Sequence, residues 1–562
     1  MRPLLRKVFG LSHLRPGQDD VIRHIMAGHD TLALMATGAG KSLCYQLPAL
    51  MLPGCTLVIS PLIALMKDQC DKLRAMGVAA VQLNSGLLAI EREKAEEAVR
   101  EGRAKVIMTT PEHLHEPDFM RDLARHPVNL LVIDEAHCIA EWGHDFRPAF
   151  LEIGRAHAQL GKPVVLALTA TATEAAIQEV MQQLDLPDMQ VINTGLYRPN
   201  LHHAVDHVTS DDSKVARLLT LVKAQEGQGI VYTSTVKAAE EVHTLLTQAG
   251  EAVVLYHGHL AAGRRRDSQE AYMQGQARIM VATQAFGMGV DKADTRFVIH
   301  YQLPASLETY YQEAGRAGRD GQAADCILLY LPRDRAIQQF FLSGRYPGVD
   351  DLMAVHALLA SPPLHDTGWT LATVANACER SRTKVQLAVL LMRKQGVVAQ
   401  GRTGRLRLKK MQMDVPDAQA LLESYVARKA QDRAMLEAMV FYAQSGQCRW
   451  KLLLQHFDQD EGFERCGHCD NCLRMAQAQA DVAALAQARP PQAPPEAPAS
   501  CAEAAPPQVG DAVTVPRYGR GRVLAIDSLG ITVAFPNGPD RSFLPRYVRA
   551  VPARRRAPRG GE

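Results

Sequence analysis

No apolar run in the 562 residues reaches the roughly 18 needed to cross a bilayer. The opening Met1-Arg2-Pro3-Leu4-Leu5-Arg6-Lys7 lacks the apolar stretch of a secretory signal. Membrane-spanning and secreted classes are therefore set aside, and no membrane partner is expected. A disulfide framework is missing as well. The 11 cysteines are an odd number and seven stand singly, which points to a reducing compartment. Strong net charge is also absent, at +3. What is present is ordinary globular composition, 47% hydrophobic and 22% charged. At about 150 residues per domain, the length predicts three to five domains.

The charge is unevenly spread. Residues 370–410 hold ten Lys or Arg against one acid, Glu379, a net +9, so the remainder sums to −6. A local cationic face on a near-neutral chain suits a polyanion partner, although a solvated basic surface is the plainer alternative.

Residues 29–200 alternate short apolar runs such as Thr56-Leu57-Val58-Ile59 and Leu130-Leu131-Val132-Ile133 with helical stretches. A second set follows in 200–333, including Gly229-Ile230-Val231-Tyr232 and Cys326-Ile327-Leu328-Leu329. The fold class predicted is α/β, with two tandem doubly wound parallel-sheet domains. They are expected over 1–197 and 198–344, joined near Tyr197-Arg198-Pro199-Asn200. A helix–turn–helix–hairpin pattern, that of a winged helix, is predicted over 345–412, and a helical module ending in cysteines over 413–475. Residues 476–508, nearly all Ala, Pro, Gln and Glu, read as a linker. A small β-barrel is expected over 509–553 and a basic tail over 554–562.

Three elements carry phosphate chemistry. Thr37-Gly38-Ala39-Gly40-Lys41-Ser42 follows an apolar strand and precedes a helix. Small residues let backbone N–H groups wrap phosphate oxygens, with Lys41 for the β/γ-phosphates and Ser42 for Mg²⁺. Asp134 leaves a buried strand where it reaches the same Mg²⁺, and Glu135 follows, placed to polarise the attacking water. In the second domain, Gln312 opens a block holding Arg316 and Arg319. Three apart, the two arginines would share a helix face and neutralise the γ-phosphate across a cleft. Hydrolysis would then require the two domains to close.

Ser60-Pro61-Leu62-Ile63-Ala64-Leu65-Met66-Lys67-Asp68-Gln69 and Thr169-Ala170-Thr171 resemble blocks of superfamily-two helicases. The stretch from Asp134 through Pro148, with Phe286–Lys292 and Tyr310-Tyr311-Gln312-Glu313, resembles the RecQ DNA helicases over about 9–475. That resemblance implies RecA-like domains, ATP and Mg²⁺ as cofactors, and 3′→5′ unwinding of DNA in recombination and repair. It further implies that Gln18 reads adenine with Arg15 against the ring, though Leu11 and Leu14 stand where the family often has aromatics. Trp142, His144, Phe146 and Arg147 follow the acid pair, where aromatic faces could stack on bases and signal DNA to Glu135. Single-stranded and tailed or forked duplex DNA are the expected partners. A cytoplasmic, nucleoid-associated bacterial monomer is the expected context.

Cys448, Cys466, Cys469 and Cys472 have the spacing of a closed four-thiolate site. The Cys-x₂-Cys-x₂-Cys run alone also fits an iron–sulfur cluster, and the family resemblance favours Zn²⁺, with His468 a bystander. In the basic module, Arg382 and Lys384 at a helix start, and Arg402 and Arg405 at a hairpin tip, are predicted DNA contacts. The family usually places its winged helix after the cysteines; here the candidate precedes them. The C-terminal barrel resembles SH3- or Tudor-like modules, which implies a protein partner. A DNA-stimulated translocase that separates no strands is the competing function, and an RNA helicase the third.

Overall fold

The computed structural model describes residues 1–84, 86–140, 149–150, 153–286, 292–362, 368–401, 405–410, 412–488, 506–516, 518–527, 530–536 and 538–551. It forms two compact units, Met1–Ala478 and Gln479–Glu562.

The first unit contains two parallel sheets. One is built from β1 (Thr31–Leu34), β2 (Cys55–Ile59), β3 (Ala80–Leu83), β4 (Val106–Thr109), β5 (Val128–Asp134), β6 (Val164–Thr169) and β7 (Gln190–Asn193), in the order β3-β4-β2-β5-β6-β1-β7. Its central strands are buried on both faces. Leu57, Ile59, Leu131 and Ile133 enter one core, while Val58, Leu130 and Val132 enter another. That two-sided burial is why these strands read as continuous apolar runs. β6 lies between β1 and β5, with Thr169 beside Leu34 and Leu168 beside Asp134. The carboxyl ends of three adjacent strands thus bring the lysine loop and the acid pair together.

The second sheet comprises β8 (Leu201–His207), β9 (Gln228–Tyr232), β10 (Val253–Tyr256), β11 (Ile279–Ala282), β12 (Thr295–His300) and β13 (Ala324–Tyr330), ordered β10-β11-β9-β12-β13-β8. It too has two cores, Ile230 and Met280 facing one and Val231 and Val281 the other. The first of these cores also takes in Trp450, Leu453, Cys469 and Cys472. The cysteine-bearing region and the second sheet therefore share one hydrophobic interior. β8 is the edge strand, and the Trp450 indole N–H donates to its Leu201 carbonyl at 3.1 Å.

Between sheet and cysteines come helices Val349–Ala360, Leu371–Ala377 and Arg382–Lys394, then a hairpin of β14 (Val398–Gln400) and β15 (Leu406–Leu408). They share a core containing Leu352, Val374, Val389, Met392 and Leu406. The long helix Val415–Gln444 follows.

In the second unit, β16 (Ala512–Val515), β17 (Gly519–Ile526), β18 (Ile531–Phe535), β19 (Gly538–Phe543) and β20 (Arg549–Ala550) form an antiparallel sheet, ordered β19-β18-β17-β16-β20. Its small core is Val513, Val515, Val523, Ile531, Val533 and Val548.

Two expectations are corrected. The helix carrying Gln312 ends at Ala314, so Arg316 and Arg319 lie in the turns beyond it and share no helical face. Gly315 and Gly318 supply the break, Gly318 with φ 55°. The segment expected to be a flexible linker from 476 is not coil throughout, because helix Asp470–Ala488 runs through its first part. Its Ala- and Gln-rich sequence has high helix propensity and meets no proline before Pro490. The tail 554–562 lies outside the described residues.

Candidate active site and metal centre

The loop Thr37–Ser42 leaves β1 and enters helix Leu43–Met51, with Ser42 as the residue before the helix. Gly38 and Gly40 have φ 86° and 84°, in the left-handed region. Space demands glycine too. A Cβ on Gly40 would lie 2.6 Å from Gln18 Nε2, and one on Gly38 would lie 3.0 Å from Arg319 Cγ. Gln18 Nε2 donates to the carbonyls of Ala39 (3.1 Å) and Gly40 (2.9 Å), and its Oε1 accepts from the Arg15 N–H at 2.8 Å. Arg15 Nη1 donates to the Gly38 carbonyl. Both residues are thus fastened to the loop backbone.

Asp134 closes β5, and Glu135 adopts φ 53°. A left-handed non-glycine residue costs on the order of 1 kcal/mol or more. It turns the chain sharply into the short 3₁₀ helix Ala136–Ile139. Ser60 Oγ donates to Asp134 Oδ2 at 3.3 Å, and Lys41 Nζ stands 3.8 Å from Glu135 Oε1. Burial and the neighbouring Glu135 push the Asp134 carboxyl up to about 6, against the pull of Lys41. Two acids held together with one lysine form a site short of positive charge, which suits a divalent cation.

Polar contacts run from His137, two residues beyond Glu135, to Gln312 of helix Leu307–Ala314 in the second domain. His137 Nδ1 lies 3.0 Å from Thr169 Oγ1, Thr169 Oγ1 donates to the Thr171 carbonyl at 3.0 Å, and Gln312 Nε2 donates to Thr171 Oγ1 at 3.1 Å.

The two arginines part company. Arg319 packs along Gly38 of the phosphate loop. Arg316 is buried and lies beside Tyr232, where its charge opposes the burial-driven rise of the phenol pKa. Of the two, Arg319 supplies the three nearest atoms to a Cβ built on Gly38, all within 4 Å. A Cβ on Gly315 would lie 3.1 Å from Thr37 Cβ, a measure of how closely this turn approaches the first sheet's loop.

The sulfurs of Cys448, Cys466, Cys469 and Cys472 all lie within 4.8 Å of one another, with Cys466 and Cys472 4.0 Å apart. A tetrahedral ion with 2.3 Å Zn–S bonds requires about 3.8 Å between sulfurs. Backbone N–H groups of Cys466, Arg449 and Cys472 point at the sulfurs of Cys448 (3.2 Å), Cys469 (3.4 Å) and Cys469 (3.5 Å). Such donors favour thiolates. His468 turns its Nδ1 to the Cys466 carbonyl at 2.9 Å and is not part of the cluster. Beside the cysteines, Arg449 grips Asp470 bidentately at 2.9 and 3.0 Å, and Asp470 also accepts from Val205 N of β8 at 3.1 Å.

In the basic module Arg382 and Arg405 are exposed, whereas Lys384 Nζ lies 3.1 Å from Asp351 Oδ2 and Arg380 Nε 2.6 Å from Asp351 Oδ1. Trp142, His144, Phe146, Arg147 and Arg402 lie outside the described residues. Asp351 was not foreseen. It sits 33 positions before Lys384, and only the packing of two helices joins them.

Three family models match: DEAD/DEAH box helicase over 15–180, helicase conserved C-terminal domain over 213–321, and RecQ zinc-binding over 407–473. The ATP-dependent DNA helicase RecQ of Synechocystis sp. is 32% identical over 487 residues, 84% of this chain and 97% of that one. The chain belongs to the RecQ family. Its four-cysteine cluster is accordingly a zinc site. The RecQ of Bacillus subtilis is 43% identical over 341 residues, 60% of this chain and 57% of the relative. For Pasteurella multocida RecQ the figures are 40%, 59% and 52%, so the chain spans little more than half of these relatives. Among solved structures, Mycobacterium smegmatis helicase Lhr bound to ssDNA and AMP-PNP aligns with TM-score 0.50 and 20% identity, over 72% of this chain and 60% of that one. S. cerevisiae Dbp5 bound to RNA and ADP BeF3 aligns with TM-score 0.51 and 18% identity, over 61% and 91%. These two likenesses concern the fold alone.

Proposed function

We propose that this RecQ-family chain is an ATP-dependent DNA helicase that moves 3′→5′ along a single strand and separates tailed or forked duplexes. The supporting observation is Arg319 of the second sheet's domain packed on Gly38 of the first, with Lys41, Asp134 and Glu135 gathered at the same loop. In this reading Thr37, Gly38 and Gly40 present backbone N–H groups to the phosphates while Lys41 binds the β/γ oxygens. Ser42 and Asp134 hold Mg²⁺, which when bound supplies positive charge to the phosphate oxygens. Glu135 accepts a proton from the attacking water. Arg319 neutralises charge growing on the γ-phosphate. Arg15 and Gln18 face the base while bracing the loop. The chain from His137 through Thr171 to Gln312 carries the state of the acids to the second domain.

On the nucleic-acid side, Trp142, His144, Phe146 and Arg147 bind the strand, and Arg382 with Arg405 contact the duplex. Lys384 serves Asp351 instead. The C-terminal unit carries a protein partner, and the chain works as a monomer. Strand displacement decides the reading. The wild type with ATP and Mg²⁺ should open a 3′-tailed duplex, and Lys41→Ala should not. Phosphate release without strand separation would make it a translocase, and stimulation by RNA but not DNA would make it an RNA helicase.

A further inference from the structure

The segment joining the two sheets, Leu196 to Leu201, contains an arginine whose two terminal nitrogens each make two hydrogen bonds. Arg198 Nη1 donates to the carbonyls of Gly315 (2.7 Å) and Thr37 (3.3 Å), and Nη2 to those of Ala317 (2.8 Å) and Gly318 (2.6 Å). None of these partners is a carboxylate. Three carbonyls belong to the turn that begins where helix Leu307–Ala314 stops. Carbonyls at a helix end lack intrahelical donors and need others. Asn200 Nδ2 adds bonds to Gly318 O and Gln322 O, both at 2.8 Å. Gly318 has φ 55°, and a Cβ there would lie 2.5 Å from Asn200 Nδ2. The shape of the turn between Arg316 and Arg319 is therefore set by the joining segment.

The fourth carbonyl, that of Thr37, lies in the other sheet's phosphate loop, one residue before the Gly38 on which Arg319 packs. Its bond is the one of the four that reaches from the joining segment to the first sheet's loop. We propose that Arg198 is a positioning residue for hydrolysis: one guanidinium that moulds the arginine-bearing turn and registers it against the phosphate loop. Lysine cannot substitute, because an ammonium lacks the planar fork that spans four acceptors. This proposal rests on the helicase reading above.

The test uses the full chain and compares wild type, Arg198→Lys, Arg198→Ala, Arg319→Ala and the Arg198→Ala/Arg319→Ala double variant. The readouts are DNA-stimulated kcat and the affinities for ADP and for ADP with aluminium fluoride. Misplacing a catalytic group by an ångström costs up to roughly 100-fold. Both single Arg198 variants should lose about 10- to 100-fold in kcat and in fluoride-complex affinity. ADP affinity should stay within about twofold, and the double variant should be no worse than Arg319→Ala. If Arg198→Ala does not fold, Arg198→Lys carries the comparison. Wild-type kcat in Arg198→Lys, equal losses of ADP and fluoride-complex affinity, or multiplicative losses in the double variant would overturn the proposal. A wild type that releases no phosphate with DNA would instead overturn the reading beneath it.

Discussion

The phosphate loop and the basic module both advertise cations, yet the two regions use them oppositely. At the loop, Lys41 faces Glu135 across 3.8 Å and Arg319 lies along Gly38, so positive groups gather where a phosphate would sit. In the basic module, Lys384 and Arg380 converge on the buried Asp351. Their charge is spent on holding helix Arg382–Lys394 to helix Val349–Ala360. Lys384 meets its acid where two helices pack, whereas Lys41 meets its acid within the candidate site itself.

Substitutions can break or sharpen that contrast. The largest effect belongs to Arg319→Ala, which should lower DNA-stimulated phosphate release by about 10³-fold or more. Arg382→Ala should leave turnover at saturating DNA near wild type; equal losses in the two would erase the distinction. Next comes Cys469→Ser. A closed four-thiolate site contributes to folding directly, so bound zinc by metal analysis and the thermal midpoint should fall together. A purified chain with iron and a visible band near 400 nm would refute the zinc assignment.

Asp351→Asn tests the basic module's internal use of charge and should cost roughly 1–3 kcal/mol in denaturant unfolding. Burial raises the Asp351 pKa, but the Gly348 N–H, Lys384 and Arg380 together outweigh it and hold the carboxyl below its usual range. Its stabilisation is thus complete above the ordinary carboxylate pKa and is lost as pH falls through the depressed one. The Asn variant should show a flatter acid limb. The smallest effect separates two neighbours. Arg382→Ala should reduce the salt slope of DNA binding by about 1, while Lys384→Ala leaves the slope and lowers stability.

Much of the candidate site was legible because its signals are local. Lys41 follows glycines that need positive φ, Asp134 ends an apolar run, and the cysteines have ligand spacing. The missing parts depend on tertiary partners. β8 reads Leu-His-His-Ala-Val-Asp-His and has no apolar run, because it is an edge strand whose alternate residues are only half-buried. The separate fates of Arg316 and Arg319 follow from where helix Leu307–Ala314 stops. Spacing alone made them equivalent. Asp351 as the partner of Lys384, and Arg198 as anything but a joint residue, had no sequence signal, since each acts on groups far along the chain.

The interior that Trp450, Leu453 and Cys469 share with Tyr310, Tyr311 and Leu328 bears on how the molecule can be dissected. A cut after residue 344 would strip that face bare and leave an oily wound on the remaining piece. Anyone wishing to express the two α/β domains alone should carry the cysteine-bearing segment along with them. Starving the growing chain of metal should likewise spoil the second α/β domain before it ever meets a nucleotide.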